Sequence, residues 1–303
     1  VKVAEAVAPE KILYYVKAMW LTFRAYGNYE NRGKARSRYM QETLGGPEAY
    51  AKAFREKLAE VEASGENLDL TVEIPKEGDG VVVDGPRVIA QKQPGLYAVA
   101  WHPIGGQVDK QAFCDLSAAL AQIPGTELRL SPDQTVYIIN LNGEEAQRVL
   151  ALTADGARNA FECSVSCIGG KTCQVGVRDS QGLLHACVEA VRSAGVPDGA
   201  LPQMYISGCM SSCGTHQTGV IGLRGASKLV DGKPQSAFAL FIHGESRQGG
   251  ETMGRELGTI LENRVPEFLV ELGKTVAASG VSFADWNAQN PDGLEEIAAP
   301  YLA

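Results

Sequence analysis

Two short stretches constrain this chain more than any other feature: CIGGKTC at 167–173 and GCMSSC at 208–213. Cys167 and Cys173 enclose five residues, Cys209 and Cys213 enclose three, and Gly169, Gly170, Gly208 and Gly214 stand among them. Glycine lets the backbone approach something bulky and lets N–H groups point at it. A disulfide scaffold is a poor account, because the count of seven cysteines is odd and the first thirty residues carry no signal peptide. Zinc sites favour pairs separated by roughly two to four residues, since a tight turn must bring both sulfurs to one small ion. The 209/213 pair conforms, whereas the wider gap at 167/173 is less usual, and neither is a Cys-x-x-Cys redox pair. Core thiols, which pack as small apolar residues, are a natural reading of Cys114 and Cys187, set singly in expected helices beside Phe113 and Ala186. They are a weaker reading of four cysteines in glycine-rich loops. An iron–sulfur cubane asks for four thiolates from separate loops with backbone donors around an anion, and a helix after Cys173 would point its positive end that way. On spacing alone, zinc, core thiols and a cluster all stand.

Composition narrows the setting. Hydrophobic residues make up 45% and charged residues 21%, as in globular cores and unlike disordered chains. The net charge of −8 offers nucleic acid no footing, so no nucleic-acid partner is expected. The longest apolar runs, such as FALFI at 238–242, are too short to span a bilayer, so no membrane partner is expected either. A reducing cytoplasm is the expected compartment, where clustered cysteines bind metal or do redox chemistry. The chain opens VKVAEAVAPEKILYYVKAMWLTF, without an initiator Met and on the approach to a helix. It reads like the middle of something longer, although removal of the Met alone gives the same start.

Hydrophobic periodicity sets out the elements. Ile12, Leu13, Val16, Met19 and Trp20 mark an amphipathic helix over 9–25, and a second strong helix is expected over 46–63, after the basic stretch NRGKARSRYMQETLG. Residues 64–90 read as a turn-rich connection or short ribbon. From Gly95 a strand (96–103), a helix ended by Pro124-Gly125, two strands around a Ser-Pro-Asp turn (126–142) and a helix (143–156) make a β-α-β-β-α unit, a ferredoxin-like half-module. Beyond the first cysteine pair come a helix near 178–194, a strand at 203–208 running into Cys209, and a hairpin of 219–225 and 236–244. Helices near 251–263 and 266–279 are expected to close the chain.

Cys-x5-Cys followed 36 residues later by Gly-Cys-x3-Cys resembles the signature of the siroheme-dependent nitrite and sulfite reductases. NRGKARSRY (31–39) resembles the basic segment after the first siroheme-binding domain of that family. ELRLSPDQTVYIINL (127–141) resembles the strand-turn-strand of its second half-module, with its Arg-x-Thr-x-x-Gln/Asn pattern. KTCQVGVRDSQGL and SGCMSSCGTHQTGVIGLRG are most similar to variants from anaerobic bacteria. The likeness covers essentially residues 10–280.

That resemblance implies an α+β chain: a ferredoxin-like half-module plus an α/β cluster- and siroheme-binding domain with a mixed sheet. It implies a helical tail of a preceding siroheme-binding domain at 1–66, the half-module with its connecting loop at 67–157, and the cluster- and siroheme-binding domain at 158–303. Cys167, Cys173, Cys209 and Cys213 inherit the ligands of a 4Fe-4S cluster, and Cys213 also the bridge to siroheme iron. Arg129 and Gln134 match the positions that donate to siroheme carboxylates, while Arg32, Lys34, Arg36 and Arg38 are candidates for those carboxylates or for an acidic electron donor. Cys163 has no role in the family, and His216 is expected to be structural or to support the cysteine loop from behind. The implied activity is six-electron reduction of sulfite or nitrite, with ferredoxin or a flavoprotein as electron donor. Substrate-binding Arg and Lys are expected in an N-terminal half of the same enzyme. The chain departs from the family at HGESRQGG (243–250), where a glycine pair after the late strand is altered. The alternative is an isolated 4Fe-4S electron-transfer or assembly module without substrate binding.

Overall fold

The computed structural model describes residues 1–71, 76–247 and 249–302, and the chain divides into two compact units, Val1–Ile74 and Pro75–Ala303.

The first unit is helical. Helix α1 (Ile12–Tyr26) packs on α3 (Pro47–Ala63), with the short α2 (Met40–Leu44) between them in sequence. Pro47 starts α3 at the first helical position, where its missing N–H costs nothing. The core is Ala18, Phe54 and Val61, ringed by Tyr14, Tyr15, Met19 and Leu58. Of the expected apolar stripe on α1, Met19 packs inward, whereas Ile12, Leu13, Val16 and Trp20 are exposed.

The second unit opens with a four-stranded antiparallel sheet of β1 (Val88–Ala90), β2 (Tyr97–Trp101), β3 (Glu127–Leu130) and β4 (Val136–Leu141), in the order β1-β2-β4-β3. Helices α4 (Lys110–Leu120) and α5 (Gly143–Leu152) supply the rest of a core built on Val99, Trp101, Leu116, Ile138, Leu141 and Val149. Both helices start where their side chains say: Asp109 accepts from Ala112 N, and Asn142 with Glu145 forms a capping box. Asp79, from the turn-rich connection, also accepts from Gly143 N and Glu144 N at the head of α5. Val72 and Glu73, also in that connection, lie outside the described residues.

A five-stranded mixed sheet follows, in the order β5-β6-β7-β8-β9. Strands β5 (Val165–Ser166), β6 (Met204–Ser207) and β7 (Ile221–Val230) run parallel, while β8 (Lys233–Ile242) and β9 (Arg255–Leu261) add on antiparallel. Helix α6 (Ser180–Ser193) connects β5 to β6, and α7 (Val265–Ser279), α8 (Phe283–Gln289) and α9 (Gly293–Ala298) follow the sheet. Leu184, Met204, Ile221, Phe238, Phe268 and Leu272 lie in one continuous core. The expected hairpin turns at Asp231-Gly232, both with positive φ, as the tight two-residue turn requires. The whole is α+β with a mixed sheet, the class expected.

Two readings of local structure are corrected. The stretch at 251–263 is not a helix: its centre is β9, hydrogen-bonded along the open edge of β8. Its helix-like apolar spacing is overridden by that edge and by Gly258, which stands where a Cβ would come 3.0 Å from Leu302. Cys114 is exposed on α4 rather than a core thiol, because Leu116 and Leu120 take the buried face; Cys187 is buried as expected. The chain also closes on α8 and α9, not on α7. Within HGESRQGG, Gln248 lies outside the described residues.

Candidate metal centre

The parallel part of the mixed sheet places the two cysteine loops together. Strand β5 ends directly in Cys167, and its parallel neighbour β6 ends in Ser207, Gly208 and Cys209. Cys167 N donates to Ile206 O at 3.0 Å, which fixes the register of the two exits. All four cysteines, Cys167, Cys173, Cys209 and Cys213, line one cavity of about 150 Å³, with Ile168, Val175, Gly208 and Ser211 among its walls.

Glycine makes this closeness feasible at specific contacts. A Cβ on Gly208 would stand 2.7 Å from Arg178 O, and one on Gly214 2.0 Å from Ile206 O. Gly208 joins the loops: its carbonyl accepts from Val177 N and Arg178 N, both at 3.0 Å, and its N–H donates to Cys167 Sγ at 3.1 Å. The Ser180 hydroxyl, at the head of α6, stands 3.2 Å from the same sulfur. The helix head is capped by Asp179, which accepts from Gly182 N and pairs with Lys171 at 2.8 Å. Burial works against the Asp179 charge, but Lys171 and the Gly182 N–H hold its carboxyl below the usual range. That carboxylate offsets part of the positive helix end expected to face the thiols.

Among the described residues no group of three or more His, Cys, Asp or Glu is gathered tightly enough to hold a single metal ion. A mononuclear zinc site needs all its sulfurs about 2.3 Å from one point. Four thiolates lining one cavity are the donor set that a polynuclear core with its own bridging sulfides takes.

The other expected residues are placed less tightly. Arg129 projects from the exposed β3, its side chain 63% exposed and ion-paired with Glu127. Gln134, at φ 69° in the turn between β3 and β4, donates Nε2–H to Ser166 O at 2.7 Å and accepts from Ser166 N at 3.1 Å. Its amide is thus bound to the backbone of the residue before Cys167, leaving one N–H for another partner. Cys163 is half-buried, and burial, aided by the charges of Asp133 and Glu162, pushes its thiol up to about 11. His216 is buried with Nδ1 3.0 Å from Ser207 Oγ, packed edge-on against Phe241. Burial, with Arg224 adding, pushes its imidazole down to about 4. Arg32, Lys34, Arg36 and Arg38 sit in the helical unit. Lys34 pairs with Glu42 at 2.9 Å, and Arg38 lies over the Tyr39 ring.

Sequence reasoning missed Ser180 and Gln181. Gln181 is buried and donates from Nε2 to Gly105 O, Ser166 O and Cys167 O at 2.8, 3.1 and 3.1 Å. A Ser-Gln pair in the first turn of a predicted helix was the available signal.

Comparison with known proteins gives the same direction as this geometry. No family model matches the chain. The spinach chloroplastic ferredoxin–nitrite reductase is 28% identical over 86% of the chain and 43% of its own length. The sulfite reductase [NADPH] hemoprotein beta-component of Staphylococcus haemolyticus is 24% identical over 70% of the chain and 37% of its own length. The structure of the Mycobacterium tuberculosis NirA protein superposes with a TM-score of 0.64 at 21% identity, over 95% of the chain and 54% of that protein. The chain is thus similar in sequence to ferredoxin–nitrite reductases and to a sulfite reductase hemoprotein, and in fold to NirA. It spans less than half the length of the two sequence relatives named above. Among the described residues, no helix is long and apolar enough to cross a membrane.

Proposed function

We propose that this chain is the cluster-bearing part of a siroheme-dependent oxidoreductase that carries out the six-electron reduction of nitrite to ammonia or of sulfite to sulfide. One observation carries the reading: four thiols from two loops line a single cavity whose walls tolerate glycine alone at their closest contacts. In this reading Cys167, Cys173, Cys209 and Cys213 would hold a 4Fe-4S cluster, and Cys213, the exposed member of the four, would also serve siroheme iron. The cluster supplies electrons and siroheme supplies the iron at which the anion is reduced. The chain's own tasks are to fix four sulfurs, to surround them with N–H and O–H donors, and to keep the loops from collapsing when loaded. Arg129 is offered to a siroheme carboxylate, since its exposed pair with Glu127 is cheaply exchanged. Ferredoxin or a flavoprotein is the electron donor, and the anion-gripping Arg and Lys belong to an N-terminal half of the same enzyme. The division at 1–66, 67–157 and 158–303 is part of this proposal.

Anaerobic purification tests it. About four irons and four acid-labile sulfides per chain are expected, with visible absorbance to match. Each of the four Cys→Ser variants should lose iron, because a serine oxygen is a hard ligand poorly suited to this iron, whereas Cys163→Ser should keep it. In siroheme-loaded protein Cys213→Ser alone should also disturb the haem spectrum. Zinc in place of iron, without colour, sinks the reading.

A further inference from the structure

The four thiols are not equivalent in their surroundings. Among the described residues, Cys167 is the one of the four whose sulfur has hydrogen-bond partners: Gly208 N–H at 3.1 Å and the Ser180 hydroxyl at 3.2 Å. Ser180 is wholly buried at the first position of α6. It reaches the sulfur because Gly169, at φ 72°, carries no side chain; a Cβ there would stand 2.9 Å from both Ser180 N and Ser180 Oγ.

A serine hydroxyl has one proton to give, and Ser180 has two acceptors within reach, Cys167 Sγ and Cys167 O, the latter at 2.8 Å. That carbonyl is already supplied. Gln181 Nε2 at 3.1 Å, sharing its two protons with Gly105 O and Ser166 O, and Ser166 Oγ at 3.2 Å both donate towards it, so it keeps partners when the Ser180 proton turns away. Once Cys167 is an iron ligand its sulfur is a thiolate with no proton of its own. A charged acceptor takes the stronger bond, so the proton goes to sulfur. Each added electron puts more negative charge on the ligand sulfurs, and a donor fixed beside one of them favours the reduced state.

We propose that Ser180 sets the electron affinity of the cluster by donating its hydroxyl proton to the Cys167 thiolate, a role that rests on the cluster reading above. Gly208 N–H makes the second, backbone-fixed bond to that sulfur. Cys167 is then the ligand through which the protein tunes the cluster, half-buried and distinct from exposed Cys213.

The test is a redox titration of the cluster-loaded protein, followed by electron paramagnetic resonance, on the wild type, Ser180→Ala and Ser180→Thr. Ser180→Ala should bind iron and sulfide as the wild type does and show a lower midpoint potential. Ser180→Thr, which keeps the hydroxyl, should hold the wild-type value. An unchanged potential in Ser180→Ala, or an equal drop in Ser180→Thr, overturns the role. So does loss of the cluster from Ser180→Ala, which would make Ser180 part of the scaffold rather than a tuning donor. A wild type that takes up no iron at all brings down the cluster reading itself, and is told apart by that result.

Discussion

The two cysteine loops reach the same cavity by different means. The Cys167–Cys173 loop is held by side chains and by short turns: Gln134 and Gln181 grip Ser166, Cys173 N donates to Gly169 O at 2.8 Å, and Gly170 N donates to Arg178 O at 2.7 Å. The Cys209–Cys213 loop is held by close backbone packing and by local backbone conformations that most residues avoid. Ser212 and Thr215, on either side of Cys213, sit at φ 58° and 49°. Met210 is 80% exposed, and Cys213 is exposed as well. Beneath them Ser207 Oγ takes Gly214 N at 3.1 Å and meets His216 Nδ1. Left-handed non-glycine residues persist where surrounding structure over-determines them, and they cluster at functional sites. Ile168, Val175 and Val177 of the first loop are exposed too, so the contrast is one of backbone. It sets a wall braced by side chains against a strained rim that exposes its cysteine, the arrangement expected if a second group must reach Cys213 from outside.

The strongest way to break this contrast is a single methyl group. A Cβ on Gly214 would stand 2.0 Å from Ile206 O, the carbonyl that also accepts from Cys167 N. Gly214→Ala thus strikes a carbonyl that anchors the first loop from beneath the second, and no side chain can swing aside to relieve it. It should cost on the order of 3–5 kcal/mol, the range of severe steric damage. Gly170→Ala makes the matched control in the first loop, where the nearest contact is 3.1 Å and φ is not positive. That variant should stay within about 1 kcal/mol. Urea unfolding of both compares them, and equal losses would remove the distinction between wall and rim.

Much of this arrangement was legible in the sequence, for reasons that differ by element. The hairpin of β7 and β8 was readable because Asp231-Gly232 can supply the left-handed pair a two-residue turn demands. The cysteine pairs were readable because spacing and glycine are local. Strand β9 was not, since its identity comes from the edge of β8, which is distant from helical spacing in its own sequence. Nor was the grip of Gln134 on Ser166: a glutamine in a turn says nothing of a strand 32 residues later. Gln134 matches a family position, and that match alone pointed to siroheme rather than to the backbone it holds. Exposed Arg129 illustrates the same limit, because a strand residue's partner is set by what covers the sheet.

A second contrast lies in pH. His216, under the rim, is held neutral: its imidazole is pushed down to about 4 from an ordinary 6.5. Between those values the unfolded chain binds a proton that the folded chain refuses, so stability rises with pH across the window. Lowering the pH from 7 through 6.5 and on towards 4 should therefore cost up to about 3 kcal/mol through this residue. Above pH 6.5 it contributes no slope. His216→Asn, which can keep a polar atom near Ser207, should flatten the profile by about 2 kcal/mol between pH 7.5 and 5 in urea titrations at pH 7.5, 6 and 5. Parallel profiles for the two proteins would assign the acid sensitivity to other groups.

The smallest expected effect tests the wall. Gln134 occupies a left-handed conformation that alanine would share, so Gln134→Ala leaves the backbone strain unchanged and removes the two bonds to Ser166. Ser166 O keeps Gln181 as a donor, while Ser166 N–H loses its partner in a buried setting. The cost should be about 1–2 kcal/mol, that of one unsatisfied buried donor. Gln134→Gly should lose less, because glycine relaxes at this φ. Iron content should survive in both, since Cys167 N stays bonded to Ile206 O and the cavity walls are untouched. Siroheme content is the decisive second reading. If Gln134→Ala keeps its stability yet loses siroheme, the free N–H of that amide is the part that matters, and Gln134 is the carboxylate donor its family position implies. If stability falls and siroheme stays, Gln134 is a brace for the first loop, and β5 enters the site where it does because a side chain from the neighbouring sheet takes the place of a missing strand.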